Sequence, residues 1–142
     1  IADVFEFFAN AENLETITPP WLHFSIKTPT PITMRVGTEI DYQLRLHGIP
    51  IKWRSEITAW EPPNLFVDVQ RKGPYRHWIH THRFIEKNGG TIARDELKYA
   101  VWGDRLINYF FVVGDIQKIF QYRTDKLTEI LNTRISINES AN

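Results

Sequence analysis

Cysteine is absent from this 142-residue sequence, and so is any long uncharged apolar run. The lack of cysteine excludes disulfides, thiolate chemistry, and zinc or iron–sulfur sites with cysteine ligands. A transmembrane helix needs about 18 or more consecutive apolar residues. A signal peptide carries lysine or arginine near its start, whereas the first residues here, IADVFEFF, carry acidic side chains. We therefore expect a cytoplasmic protein without stable membrane insertion.

Net charge is also lacking, because 17 lysines and arginines balance 17 aspartates and glutamates. A neutral chain has no field that attracts a polyanion, so we expect no nucleic-acid partner. The sequence contains no Gly-rich phosphate loop, no GxSxG elbow and no HExxH motif. These absences argue against the common nucleotide, serine-hydrolase and metalloprotease sites, and no cofactor is expected.

Large aromatic side chains are abundant, with 9 Phe, 5 Tyr and 5 Trp. Aromatic rings bury much area with little flexibility, so they suit either a dense core or the wall of an apolar cavity. The sequence shows no internal repeat, low-complexity tract or Ser/Gly linker. We therefore expect residues 1–142 to form a single domain.

The apolar periodicity changes twice along the chain. Helical spacing marks Ala2 to Ala9 and a short piece ending at Glu15. From Leu22 onward the period is two, interrupted by turns such as Gly48-Ile49-Pro50, which is typical of successive antiparallel strands. From Asp104 to about Arg134 apolar residues recur every three or four positions, which predicts one long helix. These patterns together predict an α+β fold with about six strands.

Alternation also assigns faces within the strands. The strand after Pro62-Pro63-Asn64 is marked by its apolar Leu65, Val67 and Val69. In the next strand, one face carries Trp78, His80, His82 and Phe84, and its two large rings predict that this face points inward.

The turn signal Asn88-Gly89-Gly90 sets the register of the last hairpin. A two-residue turn at Asn88-Gly89 pairs His82 with Asp95, whereas a three-residue loop with a bulge shifts the partners by one residue. Asp95 shares its face with Leu97 and Tyr99, where an unpaired charge is costly. His82 is therefore the expected partner of Asp95.

Three interpretations of these inward polar groups stay open. The pair His82–Asp95 forms a satisfied buried hydrogen bond that fixes the register, or Asp95 holds His82 as a general base. His80-x-His82 with Asp95 also has the spacing of a metal site. No second ligand cluster supports that third interpretation, so no metal is expected.

Four segments carry a resemblance to a known superfamily. They are VFEFFANAENLETITPPWLHF at 4–24, GPYRHWIHTHRF at 73–84, GGTIARDELKYAV at 89–101 and IFQYRTDKL at 119–127. In this order they resemble the polyketide cyclase/dehydrase-like branch of the SRPBCC helix-grip superfamily, which includes START lipid-transfer and birch-pollen-allergen-like proteins. The resemblance implies a curved antiparallel sheet around a long C-terminal helix, with two short helices near the N-terminus and a hydrophobic cavity. The superfamily's usual first strand has no counterpart in these residues, which open almost within the first helix, so either the strand is absent or the sequence is trimmed before it.

The expected function is binding of a hydrophobic small molecule, lipid-, polyketide- or aromatic-like, between the sheet and the C-terminal helix. The expected ligand-binding residues are Tyr42, Leu44, Trp53, Trp78, His80, His82, Phe84, Leu97, Tyr99, Tyr109, Phe110 and Val113. The first alternative is a cyclase/dehydratase-like enzyme in which His82 and Asp95 act as the base and Tyr99 donates to the oxyanion. The second alternative is a closed-core structural or partner-docking domain. Neither the ligand, the reaction nor the oligomeric state follows from the sequence.

Overall fold

The computed structural model describes residues 1–102, 113–131 and 134–141 of the chain, and side chains for 1–102 and 114–130. Helix α1 spans Ala2–Ala9, α2 spans Asn13–Thr16, and a 3-10 helix spans Pro20–Leu22. The later elements are β1 (Ser25–Ile26), β2 (Glu39–Leu46), β3 (Ile49–Glu61), β4 (Leu65–Lys72), β5 (His77–Lys87), β6 (Gly90–Ala100), α3 (Val113–Leu131) and β7 (Arg134–Ala141). The two short helices predicted near the N-terminus are confirmed.

One sheet contains all the strands in the order in which they occur along the chain. Strands β1 to β6 pair antiparallel with their neighbours, and β7 pairs parallel with β6. The predicted α+β class, with six antiparallel strands and a C-terminal helix, is confirmed. The outer edge of β6 is paired with β7.

The alternation predicted for the second and third strands is confirmed by burial. Ile40 and Leu44 of β2 and Trp53 and Ile57 of β3 are buried on the inner face. The turn between these strands differs from the prediction. His47 and Gly48 form it with φ of 50° and 79°, and the predicted turn residues Ile49 and Pro50 belong to β3.

The β5–β6 hairpin has the predicted register. Asn88 and Gly89 form its two-residue turn with φ of 51° and 75°, the left-handed values that this turn requires and that Asn and Gly adopt most readily. His82 lies opposite Asp95, and His80 lies opposite Leu97. The prediction that His80 and His82 are buried is confirmed as well, with 4% of each residue exposed.

Strand β4 presents a different face to the core from the one its apolar residues indicate. Phe66 is buried, and Asp68 lies on the same face, whereas Leu65, Val67 and Val69 are only partly buried on the other. Antiparallel pairing places Phe66 opposite His82 and Asp68 opposite His80. Pairing with β5 therefore places the Asp68 carboxylate on the inner face, whereas the alternation of apolar residues in β4 favours the opposite face for it.

Helix α3 packs on the sheet through Ile116, Phe120 and Leu127, which are 0%, 3% and 0% exposed. The predicted beginning of this helix at Asp104 lies outside the described residues. Its predicted end at about Arg134 is wrong, because the helix ends at Leu131 and Arg134 begins β7. The sequence Arg134–Ala141 alternates isoleucine with serine and asparagine, which favours a strand over a helix.

Three clusters of buried apolar residues hold the layers together. The first surrounds Phe5 of α1, whose ring packs against Trp60, Phe66 and Phe84 at centroid distances of 5.2, 5.9 and 5.4 Å. The other two join α3 to β6 and join β2 to β3. Among the described residues, no helix has both the length and the apolar character needed to cross a membrane.

Candidate functional site

A cavity of about 170 Å³ lies between the inner face of the sheet and helix α3. Its walls come from every layer of the fold: Phe7, Phe8 and Leu14 near the N-terminus, Tyr42, Leu44, Trp53 and Trp78 on the strands, and Ile116, Ile119 and Phe120 on the helix. A surface groove of about 430 Å³ shares Leu22, Leu46 and Ile119 with this cavity. The cavity and the groove therefore adjoin each other at these three apolar residues.

Aromatic rings form the wall on the β2–β3 side. The indole of Trp53 stacks on Tyr42 at 5.9 Å and meets Trp78 edge to face at 5.1 Å. Tyr75 packs against Trp78 at 4.6 Å, because the amide of Gln70 bonds both the backbone N–H and the carbonyl of Tyr75. These rings make a stiff, preformed apolar surface.

One hydroxyl ties the polar atoms of this wall together. Trp53 Nε1 donates to Ser55 Oγ at 2.9 Å, and Tyr42 Oη lies 3.0 Å from the same oxygen. Burial raises the pKa of Tyr42 well above its usual value, so the phenol stays neutral. The hydroxyl of Tyr42 is therefore available as a neutral hydrogen-bonding group at the cavity wall.

A buried cluster of ionisable side chains forms a polar wall of the cavity, next to Trp78 on the inner face of β5. His80 Nε2 donates to Asp95 Oδ1 at 3.0 Å, and His82 Nε2 donates to Asp68 Oδ2 at 2.7 Å. Arg123 of α3 places its Nε 3.9 Å from Asp95 Oδ2. His80, His82, Asp68 and Arg123 line the cavity, whereas Asp95 lies behind the two histidines.

The predicted contact between His82 and Asp95 is present, but the hydrogen bond to Asp95 comes from His80. His82 Nδ1 lies 3.1 Å from Asp95 Oδ1 but makes no hydrogen bond there, and the bonded partner of Asp95 is the diagonal His80. Both ring nitrogens of His82 lie against carboxylates. The arrangement expected of a general base at His82, with one nitrogen bonded and the other directed to the cavity, is therefore found at His80.

The two histidines carry different charges. Burial lowers the pKa of His80, and the neighbouring His82 lowers it further, so His80 is neutral. Burial also disfavours a charge on His82, but Asp68 and Asp95 outweigh burial and raise its pKa. The two rings are tilted and lie 3.8 Å apart between centroids, so a charge on one disfavours a charge on the other, and the opposite pKa shifts favour the charge on His82.

Both aspartates of the cluster are ionised. Burial opposes this charge, but Arg123 and the two histidines hold the pKa of Asp95 well below its usual value. Burial opposes the charge on Asp68 as well, but the hydrogen bond from His82 together with the charges of the two histidines and Arg123 lowers its pKa. Two carboxylates, one guanidinium and one imidazolium leave this wall polar but without net charge.

Arg123 is the cluster's member from the helix. Its guanidinium lies above the rings of Phe8 and Phe120, 5.8 and 6.0 Å from their centroids. Its Nε is buried without a hydrogen-bond partner among the described residues. The sequence analysis missed both Arg123 and Asp68. Arg123 lies about one helical turn from Phe120, on the side of α3 that carries the apolar stripe. This spacing was the feature of the sequence that could have predicted an Arg123 facing the sheet.

The structure gathers only part of the predicted ligand-binding set. Tyr42, Leu44, Trp53, Trp78, His80 and His82 line the cavity. Phe84 packs instead against Phe5, and Leu97 and Tyr99 lie in the packed interface with Ile116 and Phe120. Tyr99 is thus not on the cavity wall where an oxyanion donor would be needed. Tyr109 and Phe110 lie outside the described residues, and only the backbone of Val113 is described.

Comparison with known proteins gives a likeness of fold only. No protein-family model matches the chain, and no curated protein matches it. A crystal structure of the protein Ms6760 from Mycobacterium smegmatis is similar, with a TM-score of 0.62 and 16% sequence identity over 92% of this chain and 83% of that one. A crystal structure of TTHA0849 from Thermus thermophilus aligns with a TM-score of 0.45 and 18% identity over 84% of this chain and 80% of that one.

Proposed function

We propose that this chain binds a hydrophobic small molecule, of lipid-, polyketide- or aromatic-like character, in a helix-grip arrangement of its sheet and α3. The observation that carries the proposal is the cavity of about 170 Å³, which is lined by packed aromatic rings and by a few buried ionisable groups. Binding sites for small molecules combine an apolar lining with a few convergent polar groups in this way.

The volume sets the size of the buried part of the ligand. An apolar cavity of about 150 Å³ accommodates a benzene-sized ring, so 170 Å³ holds one small ring system. That volume is below the roughly 300 Å³ of a drug-sized site. A longer ligand extends into the adjoining groove beside Trp21, His47 and Lys118, which shares apolar residues with the cavity.

The charge of the polar wall sets the chemistry of the ligand's buried end. Asp68 and Asp95 are matched by Arg123 and His82, so a carboxylate on the ligand would meet two like charges without a free countercharge. A neutral carbonyl or hydroxyl hydrogen-bonds to the Tyr42 hydroxyl or to Arg123 without that cost. We therefore expect a neutral, weakly polar molecule.

Filling the cavity is expected to block binding. Leu44→Trp adds an indole to the aromatic wall, and overpacking of about 1–3 kcal/mol corresponds to binding that is weaker by about 5- to 160-fold. The probe is 2-naphthol, titrated calorimetrically at several temperatures, for which wild type should show a negative heat-capacity change.

The matched control is Ile79→Trp, since Ile79 is on the outer face of β5 and 38% exposed. Its affinity for 2-naphthol should equal that of wild type. Circular dichroism checks that both variants fold, and nuclear Overhauser contacts from the probe to Trp78 locate it in wild type. Equal affinity in the two variants, or no binding by wild type, contradicts the proposal and favours the closed-core alternative.

Acid–base catalysis of a cyclisation or dehydration is the second candidate function, and the geometry at His80 favours it. His80 is neutral, donates from Nε2 to Asp95, and has Nδ1 on the side of Asp68, which lines the cavity. A carboxylate that fixes one nitrogen and leaves the other as an acceptor is the arrangement of a general base.

Loss of His80 tests this candidate. We expect wild type to accelerate deuterium uptake from D₂O at the central carbon of an aromatic 1,3-diketone, and His80→Gln to lose about 100-fold or more of the acceleration. Proton NMR follows the exchange. The control is His77→Gln, the exposed histidine at the start of the same strand. An exchange rate in His80→Gln equal to that of wild type rejects the base.

A further inference from the structure

Three side chains of the polar wall have potential metal-ligand atoms close to one another. The ligand atoms of Asp68, His80 and His82 lie within 4.8 Å of one another. Asp68 Oδ2 is 2.7 Å from His82 Nε2 and 4.0 Å from His80 Nδ1. Ligands bound to one tetrahedral metal at about 2.0–2.2 Å lie roughly 3.3 Å apart, so the two observed distances bracket the separation that a metal requires.

Asp95 supplies the outer support that metal-binding histidines normally have. A histidine ligand usually donates its second ring N–H to a carboxylate, which fixes the tautomer and orients the ring. Here a single oxygen of Asp95 lies 3.0 Å from His80 Nε2 and 3.1 Å from His82 Nδ1. The nitrogens on the other side of the two rings, His80 Nδ1 and His82 Nε2, are the two that lie near Asp68.

The charges of the wall favour a cation at this point. When both histidines are neutral, Asp68 and Asp95 are matched only by Arg123, so one negative charge is uncompensated in a buried setting. A divalent metal ion outweighs this negative charge and provides a partner for His80 Nδ1, which lies 4.0 Å from Asp68 Oδ2.

We propose that Asp68, His80 and His82 form a binding site for a divalent transition metal of the zinc class. The carboxylate binds through Oδ2, and the imidazoles bind through Nδ1 of His80 and Nε2 of His82. Asp95, which accepts the hydrogen bond of His80 Nε2, is the positioning residue for the His80 ring. Three protein ligands leave at least one coordination position for water or a neutral ligand oxygen in the cavity.

This site goes beyond the proposed function and does not rest on it, because the three ligands bind a metal whether or not the apolar cavity binds 2-naphthol. The metal also uses the lone pair of His80 Nδ1 that general-base catalysis needs. Metal-loaded protein therefore cannot use His80 as a base, so chelator-treated protein is the appropriate form for the deuterium-exchange measurement.

The test is titration of the full, chelator-treated chain with Co²⁺ and Zn²⁺. We expect one ion per chain and visible d–d absorption of Co²⁺ that Zn²⁺ abolishes. Asp68→Asn removes the carboxylate ligand and keeps the shape of the side chain. Removal of an outer-sphere partner alone lowers metal affinity by about 10- to 100-fold, so loss of a direct ligand should lower the Zn²⁺ affinity by well over about tenfold.

Two controls separate this site from surface binding. Asp41→Asn alters a carboxylate of β2 that pairs with Arg54, and His47→Gln removes the exposed histidine that contacts Asp115 at 2.7 Å. Both variants should bind Zn²⁺ as wild type does. Absence of binding by wild type, unchanged affinity in Asp68→Asn, or loss of binding in His47→Gln overturns the proposal.

Nitrogen-15 NMR of the histidine rings keeps the proposal testable should Asp68→Asn fail to fold. In wild type, Zn²⁺ should shift Nδ1 of His80 and Nε2 of His82. Shifts confined to His23, His47 or His77 overturn the assignment. Titration of the chelator-treated protein with 2-naphthol distinguishes the outcomes, since failure of metal binding with intact probe binding rejects only this site.

Discussion

Replacing Asp95 with alanine is expected to lower the free energy of unfolding by about 3–5 kcal/mol, the usual cost of removing one partner from a buried ionic network. The carboxylate is 4% exposed and lies within 3.0–3.9 Å of His80, His82 and Arg123. Its loss leaves a buried guanidinium and a buried imidazolium with only Asp68 to compensate them. Urea denaturation followed by circular dichroism measures the change.

Asp41→Ala is the matched control for Asp95→Ala, because it removes a carboxylate of the same sheet that also pairs with an arginine. Arg54 binds Asp41 through two contacts of 2.7 and 3.2 Å, but the pair is solvent-exposed and therefore screened. Its loss of stability should be much the smaller of the two. Equal losses in the two variants would show that the buried network contributes no more than a surface ion pair.

Phe5→Ala is expected to cost about 3–5 kcal/mol of unfolding free energy, the range found when a fully packed phenylalanine is deleted. Phe5 is the buried residue of α1, and its ring lies edge-on to Trp60, Phe66 and Phe84. The surrounding rings belong to three different strands and cannot collapse together to fill the space. The measurement is again urea denaturation.

Phe7→Ala provides the comparison on the same helix. Phe7 is half-buried, and Phe8 is its aromatic neighbour at 5.9 Å. Since less packing is lost, Phe7→Ala should lose less than half as much stability as Phe5→Ala. A larger loss at Phe7 would mean that α1 is held on the sheet by a different face from the one described.

The parts of this fold that could be predicted from the sequence are those set by neighbouring residues. Asn88 and Gly89 adopt the positive φ values of a two-residue turn, and that turn alone fixes the opposition of His82 and Asp95. Alternation within β2 and β3 likewise identified the wall formed by Tyr42, Leu44 and Trp53, since strict period two places these side chains on one face.

The rest of the site depends on contacts between elements distant in sequence. Asp68 turns inward because β5 aligns it opposite His80, although the apolar residues of β4 flank it on the other face. Arg123 reaches Asp95 only through the packing of α3 on the sheet. The register of β5 and β6 alone therefore does not determine which carboxylate each histidine bonds to, because that choice also depends on Asp68 and Arg123.

The end of α3 illustrates the competition between two periodicities. Leu127 and Leu131 continue the helical stripe, and this pattern predicted a helix to about Arg134. The following isoleucines, Ile135 and Ile137, are two residues apart, and the chain there pairs with β6. A helical pattern indicates where a helix can continue. It does not exclude a strand where the same residues also alternate and can form backbone hydrogen bonds with a neighbouring strand.

The perpendicular contact of Trp53 with Trp78 gives the cavity an optical signature of its own. Their planes are 88° apart at a centroid distance of 5.1 Å, close enough for the electronic transitions of the two indoles to couple. Both indoles line the cavity, whereas Trp60 packs against Phe5, and Trp21 and Trp102 are largely exposed. A molecule entering the cavity changes the surroundings of this coupled pair directly, so its arrival can be followed in the near-ultraviolet spectrum of the unlabelled protein.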